Sequence, residues 1–347
     1  VRLLSADNKI LADVDSPNGS EGPELLTFVT DAAGNYLVEV RAGDANAAPG
    51  KYEIKLAALR NANAQDRALV EARKLANEAL RLEMQNKLDE ALKLAERVVA
   101  LREKVLGAEH PEVGAALNFL AGVYFDKGDF RRAEPLYLRA LAVREKAFGK
   151  EHLDVAESVN DLAVTYLNLG EYDRAQPLYQ RALNIYLKLL SPDDVQIPLA
   201  MNNLAGLYQH KGDYAQAESL YRRSLTMQEK KFGAEHLDVA ESLGHLAALY
   251  RDTGEYAKAE PLHLRALALR EKLLGKEHPD IAESLNNLAL LYHEMGDYAK
   301  AEPLYQRTLT IEEKVLGPEH PHTATRLNNL AGLYVDQGQY AQALPLH

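Results

Sequence analysis

Over the first 58 residues, apolar and polar positions alternate in "VRLLS", "ILADVD", "ELLTFVT", "NYLVEVRA" and "KYEIKLAAL", separated by the turn clusters "ADNK", "SPNGSEGP", "DAAG" and "GDANAAPG". A period of two is that of half-buried strands, so five antiparallel strands are expected. From about Ala68 the apolar period lengthens to that of helices. In "SLNNLALLYHEMGDYAKAEPLYQRTLTIEEKVLGPEH" the pattern predicts a helix to about Glu294, a left-handed turn at Gly296, and a second helix capped by Asp297 and ending at Gly317. His320 and Pro321 then open the next helix, with proline in a first turn where its missing N–H costs nothing.

This unit recurs. Tyr124, Tyr166, Tyr208, Tyr250, Tyr292 and Tyr334 fall every 42 residues, as do Gly107, Gly149, Gly233, Gly275 and Gly317, with Ser191 filling the one gap. A fixed period of this length is the mark of a stacked repeat. The small and aromatic positions Leu288, Ala289, Tyr292, Gly296, Tyr298, Ala301 and Tyr305 resemble the tetratricopeptide repeat, and the longer period with "GxEHP" between units is similar to the repeats of kinesin light chain. The resemblance implies a mainly α protein: a right-handed solenoid over 72–347, with a degenerate first repeat, five full ones and a truncated last. Residues 59–71 read as a linker, and 1–58 resemble part of a pre-peptidase C-terminal β-sandwich. Val1 opens inside a strand pattern without methionine, so the chain is expected to be a fragment.

Two irregularities stand out. Pro135, Pro177, Pro261, Pro303 and Pro345 fall beyond the first turn of the second helices, where a mild bend is expected. At "LSPDDVQIPLAMNNL", Ser191 replaces glycine and Asp194 replaces histidine.

The first helices also carry side-by-side asparagines. At about 100° per residue, Leu285, Leu288, Ala289 and Tyr292 form the packing stripe, while Glu283, Asn286, Leu290, His293 and Glu294 face the other way. In the resembled family that side lines the concave groove. The first column reads Asn118, Asn160, Asn202, Gly244, Asn286 and Asn328; the second reads Phe119, Asp161, Asn203, His245, Asn287 and Asn329. Asparagine is a poor helix former, so five in one column would cost about 2–3 kcal/mol and should be making bonds. An amide can donate and accept at once, as an extended peptide backbone requires. The first column is therefore expected to hold such a backbone, the alternative being bonds to adjacent repeats or mere inheritance from duplication, and the second to bond between repeats. Gln209, His210, Arg251, His293 and Glu294 complete the expected groove. Its acidic residues (Glu157, Glu241, Glu283, Asp126, Asp252, Glu294 and Asp336) outnumber Arg251, which favours a neutral or basic extended segment, possibly of the same polypeptide.

Composition narrows the alternatives. The net charge is −11 with no basic run, which argues against nucleic acid and anionic membranes as partners. No apolar run approaches the ~18 residues that span a bilayer. With cysteine absent, disulfides, thiolate metal sites and cysteine catalysis are ruled out, but the compartment stays open between bacterial cytoplasm and extracytoplasmic space. No catalytic or nucleotide-binding motif occurs, and no cofactor is implied. His110, His152, His236, His278 and His320 recur once per repeat, too far apart to share a metal, and are expected to cap or pack. "DVDSPNGSEGPE" could bind calcium, but acidic turns are common in sandwiches.

The sequence thus predicts a non-enzymatic protein-binding scaffold. The alternative is set by resemblance: a sandwich followed by 42-residue repeats is similar to the front of bacterial proteins that end in a caspase-like CHAT protease domain. That would make the array a sensing or regulatory arm.

Overall fold

The computed structural model describes residues 62–347, apart from 316, 319 and 347, together with three short strands nearer the start. The chain divides into two compact units, Val1–Ala147 and Phe148–His347.

In the first unit, strands β1 (Arg2–Ser5), β2 (Ile10–Asp13) and β3 (Tyr36–Glu39) form an antiparallel sheet in the order β2-β1-β3. Arg2 pairs with Glu39 and Ser5 with Tyr36, and the β1–β2 ladder is irregular between Leu3 and Leu4. Among the described residues this is a single sheet, not a sandwich. The segments expected to supply further strands, 24–30 and 51–59, lie outside them, as does nearly all of the acidic turn over 13–24. Helix α1 (Ala64–Met84) starts within the stretch expected to be linker, because Asn63 and Asp66 cap each other's backbone N–H at 2.8 and 2.9 Å. It packs on α2 (Leu88–Leu106), and α2 packs on α3 (Pro111–Asp126), around Val98, Val113 and Leu117. Helix α4 (Phe130–Phe148) follows.

The second unit is an alternation of two helix types. The first type comprises α5 (Leu153–Asn168), α7 (Gln196–His210), α9 (Leu237–Asp252), α11 (Pro279–Glu294) and α13 (Pro321–Asp336). Between them lie α6 (Tyr172–Leu189), α8 (Tyr214–Phe232), α10 (Tyr256–Leu274) and α12 (Tyr298–Val315), and the short α14 (Tyr340–Ala343) ends the array with a 3-10 turn over Leu344–Leu346. Pro177, Pro261 and Pro303 are the sixth residues of their helices, which continue past them.

Both turns of the repeat have identifiable causes. Within a repeat, Gly296 adopts φ +76°, which turns the chain so that the Asp297 N–H reaches back to the Tyr292 carbonyl at 2.8 Å. Between repeats, the recurring histidine is the helix N-cap. The Nδ1 atoms of His152, His236, His278 and His320 accept the N–H two residues on at 3.2–3.3 Å, and His110 does the same in the first unit. This is the capping role expected from the spacing. At the irregular junction Asp194 stands at the histidine position, and its Oδ1 accepts from the Gln196 N–H at 2.9 Å. The same task is done by a different acceptor, and α6 packs on α7 there.

Close helix crossing explains the small residues. Ala163, Ala205, Ala247, Ala289 and Ala331 on the first helices are fully buried, as are Ala175, Ala217, Ala259 and Ala301 on the second. Each 42-residue step therefore returns a side chain with no more than a methyl group to the contact. The first helices also touch one another directly, α5 on α7, α7 on α9, α9 on α11 and α11 on α13. Helices that approach their equivalents in the next repeat lie on the inside of a curved stack, so this layer forms the concave face.

Candidate functional site

The asparagines of the concave layer are built into the stack as well as facing the groove. In the second unit Asn203 Nδ2 donates to Asn160 Oδ1 at 3.0 Å, and Asn329 Nδ2 donates to Asn286 Oδ1 at 2.9 Å. The second column thus bonds between repeats, and its acceptors are the first column. Asn286 is 3% exposed and Asn202 6%, whereas Asn160 is half-buried and Asn328 exposed. Asn202 Nδ2 reaches Ser242 Oγ at 3.4 Å, but its Oδ1 has no partner, because the next repeat offers His245 where asparagine would donate. In the first unit Asn118 is buried.

Two turns further along the helices a second ladder runs. Gln209 Nε2 donates to Asp252 Oδ2 at 2.6 Å, Arg251 Nε lies 3.6 Å from Glu294, and His293 Nε2 pairs with Asp336 Oδ2 at 2.8 Å. Both ladders join residues 43 apart, the repeat length plus one. Tyrosines of the outer helices brace this floor from behind: Tyr221 Oη donates to Gln209 at 3.2 Å, and Tyr305 Oη lies 3.5 Å from His293 Nδ1. Burial raises both phenols, that of Tyr221 to about 12. His210 is exposed and stacks on Tyr172, with ring centroids 5.9 Å apart. Of the expected groove residues, Gln209, Arg251, His293 and Glu294 are therefore already paired along the groove axis.

The electrostatics follow from the acidic excess. Burial raises the Glu294 carboxyl; Arg251 opposes this and Asp252 adds to it. His263 occupies the brace position held by tyrosine in Tyr221 and Tyr305. Burial, then Arg251 and Arg270, depress it to about 4. Glu241 and Glu283 are exposed, with no ion pair among the described residues, and act on His245, which burial nonetheless holds low. Among the described residues no group of three or more acidic or histidine side chains is arranged to hold a metal, and no helix is long and apolar enough to cross a membrane.

The paired helices, their 42-residue step and the alanine crossings have a counterpart among known families: the tetratricopeptide repeat model matches 70–146, 112–188, 196–272, 238–311 and 280–347. The chain belongs to the tetratricopeptide repeat family. Solved structures agree. The nearly identical TPR-like repeats of a Podosopora anserina protein described as a kinesin light chain are 27% identical, covering 59% of this chain and 98% of that one at TM-score 0.53. BtubC (BKLC) from P. vanneervenii is 28% identical, covering 75% of this chain and 95% of that one at TM-score 0.51. Aspartyl phosphate phosphatase F from Bacillus subtilis shares the fold at 14% identity, covering 82% and 70% at TM-score 0.62. No curated protein matches by sequence. This tetratricopeptide array is thus a solenoid with kinesin light chain-like neighbours, a fold generally used to bind other proteins.

Bonding of the second asparagine column between repeats was expected, but the acceptors that Asn203 and Asn329 meet, and the whole of the second ladder, were not. Their signal is the 43-residue spacing, which links Arg251 to Glu294 and Asn203 to Asn160 only once neighbouring repeats are aligned.

Proposed function

We propose that the concave face of the second unit is a protein-interaction groove for an extended segment, neutral or basic, from a partner or from the same polypeptide. The observation that carries this is charge: the ladder along the floor sets the carboxylates of Asp252, Glu294 and Asp336 against the one guanidinium of Arg251, and Glu241 and Glu283 stand exposed on the same face with no ion pair among the described residues. Complementary potential selects a segment without acidic side chains. The exposed amide of Asn328 and the half-buried one of Asn160 support this reading, since an amide can bond an extended backbone. Asn202 and Asn286 are buried, and Gly206, Gly244 and Gly332 keep side-chain bulk off the floor.

The test is selection from a random displayed peptide library, followed by titration at two salt concentrations. Neutral or basic sequences should be enriched, and Glu241→Gln should weaken them by about two- to five-fold, as expected for an exposed charge. Enrichment of acidic sequences, or no binder at all, overturns the proposal.

A further inference from the structure

Where the asparagine ladder breaks, it leaves a whole side-chain amide over. Asn287 stands where Asn203 and Asn329 donate back to the preceding repeat, but the residue 43 before it is Gly244, whose missing side chain leaves open space. Asn287 has no hydrogen-bond partner among the described residues, and it lines a cleft of about 450 Å³ between α11, the end of α12 and the start of α13.

The cleft has a second unmet group. Glu312 is 5% exposed; its Oε1 accepts from Arg326 Nε at 3.0 Å, while its Oε2 is buried without a partner. A carboxylate oxygen buried and unbonded is costly, and a donor supplied by a ligand would satisfy it. Asp280 and Glu283 add two more carboxylates to the lining, against the one guanidinium of Arg326, so the charge is net negative. Val315 supplies an apolar wall.

We infer that this cleft receives a basic side chain, the guanidinium of arginine or the ammonium of lysine. The cationic head donates to Glu312 Oε2 and to the amide oxygen of Asn287, with Glu283 opposite, while the aliphatic stem lies on Val315. This rests on the proposed groove, to which Glu283 also belongs, and fixes one basic position in the bound segment.

The probe is Nα-acetyl-arginine methylamide, with the isosteric uncharged citrulline analogue as control. Binding is read by NMR from the Asn287 side-chain amide and the Val315 methyls of the full chain. The arginine probe should shift both signals saturably and the citrulline probe should not. Glu283→Gln, an exposed change that leaves the fold intact, should weaken binding about two- to five-fold. Gly244→Asn, which replaces no cleft residue but accepts from Asn287 Nδ2 and so ties that amide, oxygen included, into the ladder, should also weaken it. Equal shifts with both probes, or none, overturn the inference. If library-selected peptides bind through Glu241 but show no basic position and ignore Glu283→Gln, the cleft assignment fails and the groove stands. If the arginine probe fills the cleft while no library peptide binds, the groove fails and the cleft stands.

Discussion

Asn287 and Asn329 occupy the same column of successive repeats, and both are half-buried, yet only Asn329 has a ladder partner. Replacing Asn329 with alanine removes the 2.9 Å bond and strands Asn286 Oδ1 in a nearly buried site. An unsatisfied buried acceptor costs about 1–3 kcal/mol. Against this, alanine is the better helix former by roughly 0.6 kcal/mol. Asn329→Ala should therefore destabilise by about 0.5–2 kcal/mol. Asn287→Ala loses no such bond and keeps the propensity gain, so it should stabilise by about 0.5 kcal/mol. The assay is urea unfolding of both variants and of Asn286→Ala, with the double variant Asn286→Ala/Asn329→Ala closing a cycle whose coupling should be about 1 kcal/mol. Shifts of equal sign and size for Asn287→Ala and Asn329→Ala would refute the ladder as an energetic element.

Two further outcomes follow from single side chains. His278→Ala should lower stability by about 1 kcal/mol through loss of the N-cap, whereas His278→Asp should keep most of it, because Asp194 already performs that task at its own junction; thermal melts check this. His263 is depressed to about 4 in the folded chain, against an ordinary value near 6.5. As pH falls from about 6.5 to 4 the unfolded state takes up a proton that the folded state refuses, so stability present above 6.5 is lost over that window, by up to roughly 3 kcal/mol. His263→Tyr, which copies Tyr221 and Tyr305, should flatten that part of the pH dependence, and urea midpoints at about pH 7.5 and 5 would show it.

The fold was legible because it is repetitive. Every 42-residue step restates the same constraints: a glycine at positive φ, a cap acceptor and an alanine at the crossing, so an error at one unit is corrected by the next. The strand pattern of residues 1–58 had no such redundancy. The concave face was legible as a face, since helical periodicity places Glu283, Asn286 and His293 together. So was the turn of the second column toward the neighbouring repeat, which Asn203 and Asn329 bear out; the acceptors met there were not, because periodicity within one helix says nothing of the side chains that face it. Asn286 faces the groove by angle yet is covered and bonded by Asn329 from a helix one repeat away. Arg251, expected as the groove's lone cation, is engaged by Asp252 at 2.8 Å and lies near Glu294.

Three departures from the repeat fall together in α9 and α10: Gly244 and His245 replace the asparagine pair, and His263 replaces the tyrosine brace. Their consequences accumulate there as buried polar atoms without partners, namely Asn202 Oδ1 facing that unit, His245 Nδ1 and His263 Nε2. Each such atom costs on the order of 1–3 kcal/mol in the closed state and nothing once the helices part and water enters. Local opening should therefore be easier here than in α11 and α12, where Glu312 Oε2 is the unpartnered group. Amide hydrogen exchange in α9 and α10 should be at least about tenfold faster, which corresponds to about 1.4 kcal/mol of opening free energy. The paired change Gly244→Asn and His245→Asn rebuilds both rungs: the amide introduced at position 245 can donate to Asn202, and the one introduced at position 244 can accept from Asn287. It should slow exchange in α9 while weakening the arginine probe in the cleft, because the amide left over for a ligand is the one the ladder would consume. Exchange in α9 that is already as slow as in α11, and unmoved by that change, would show that these polar atoms carry no energetic weight.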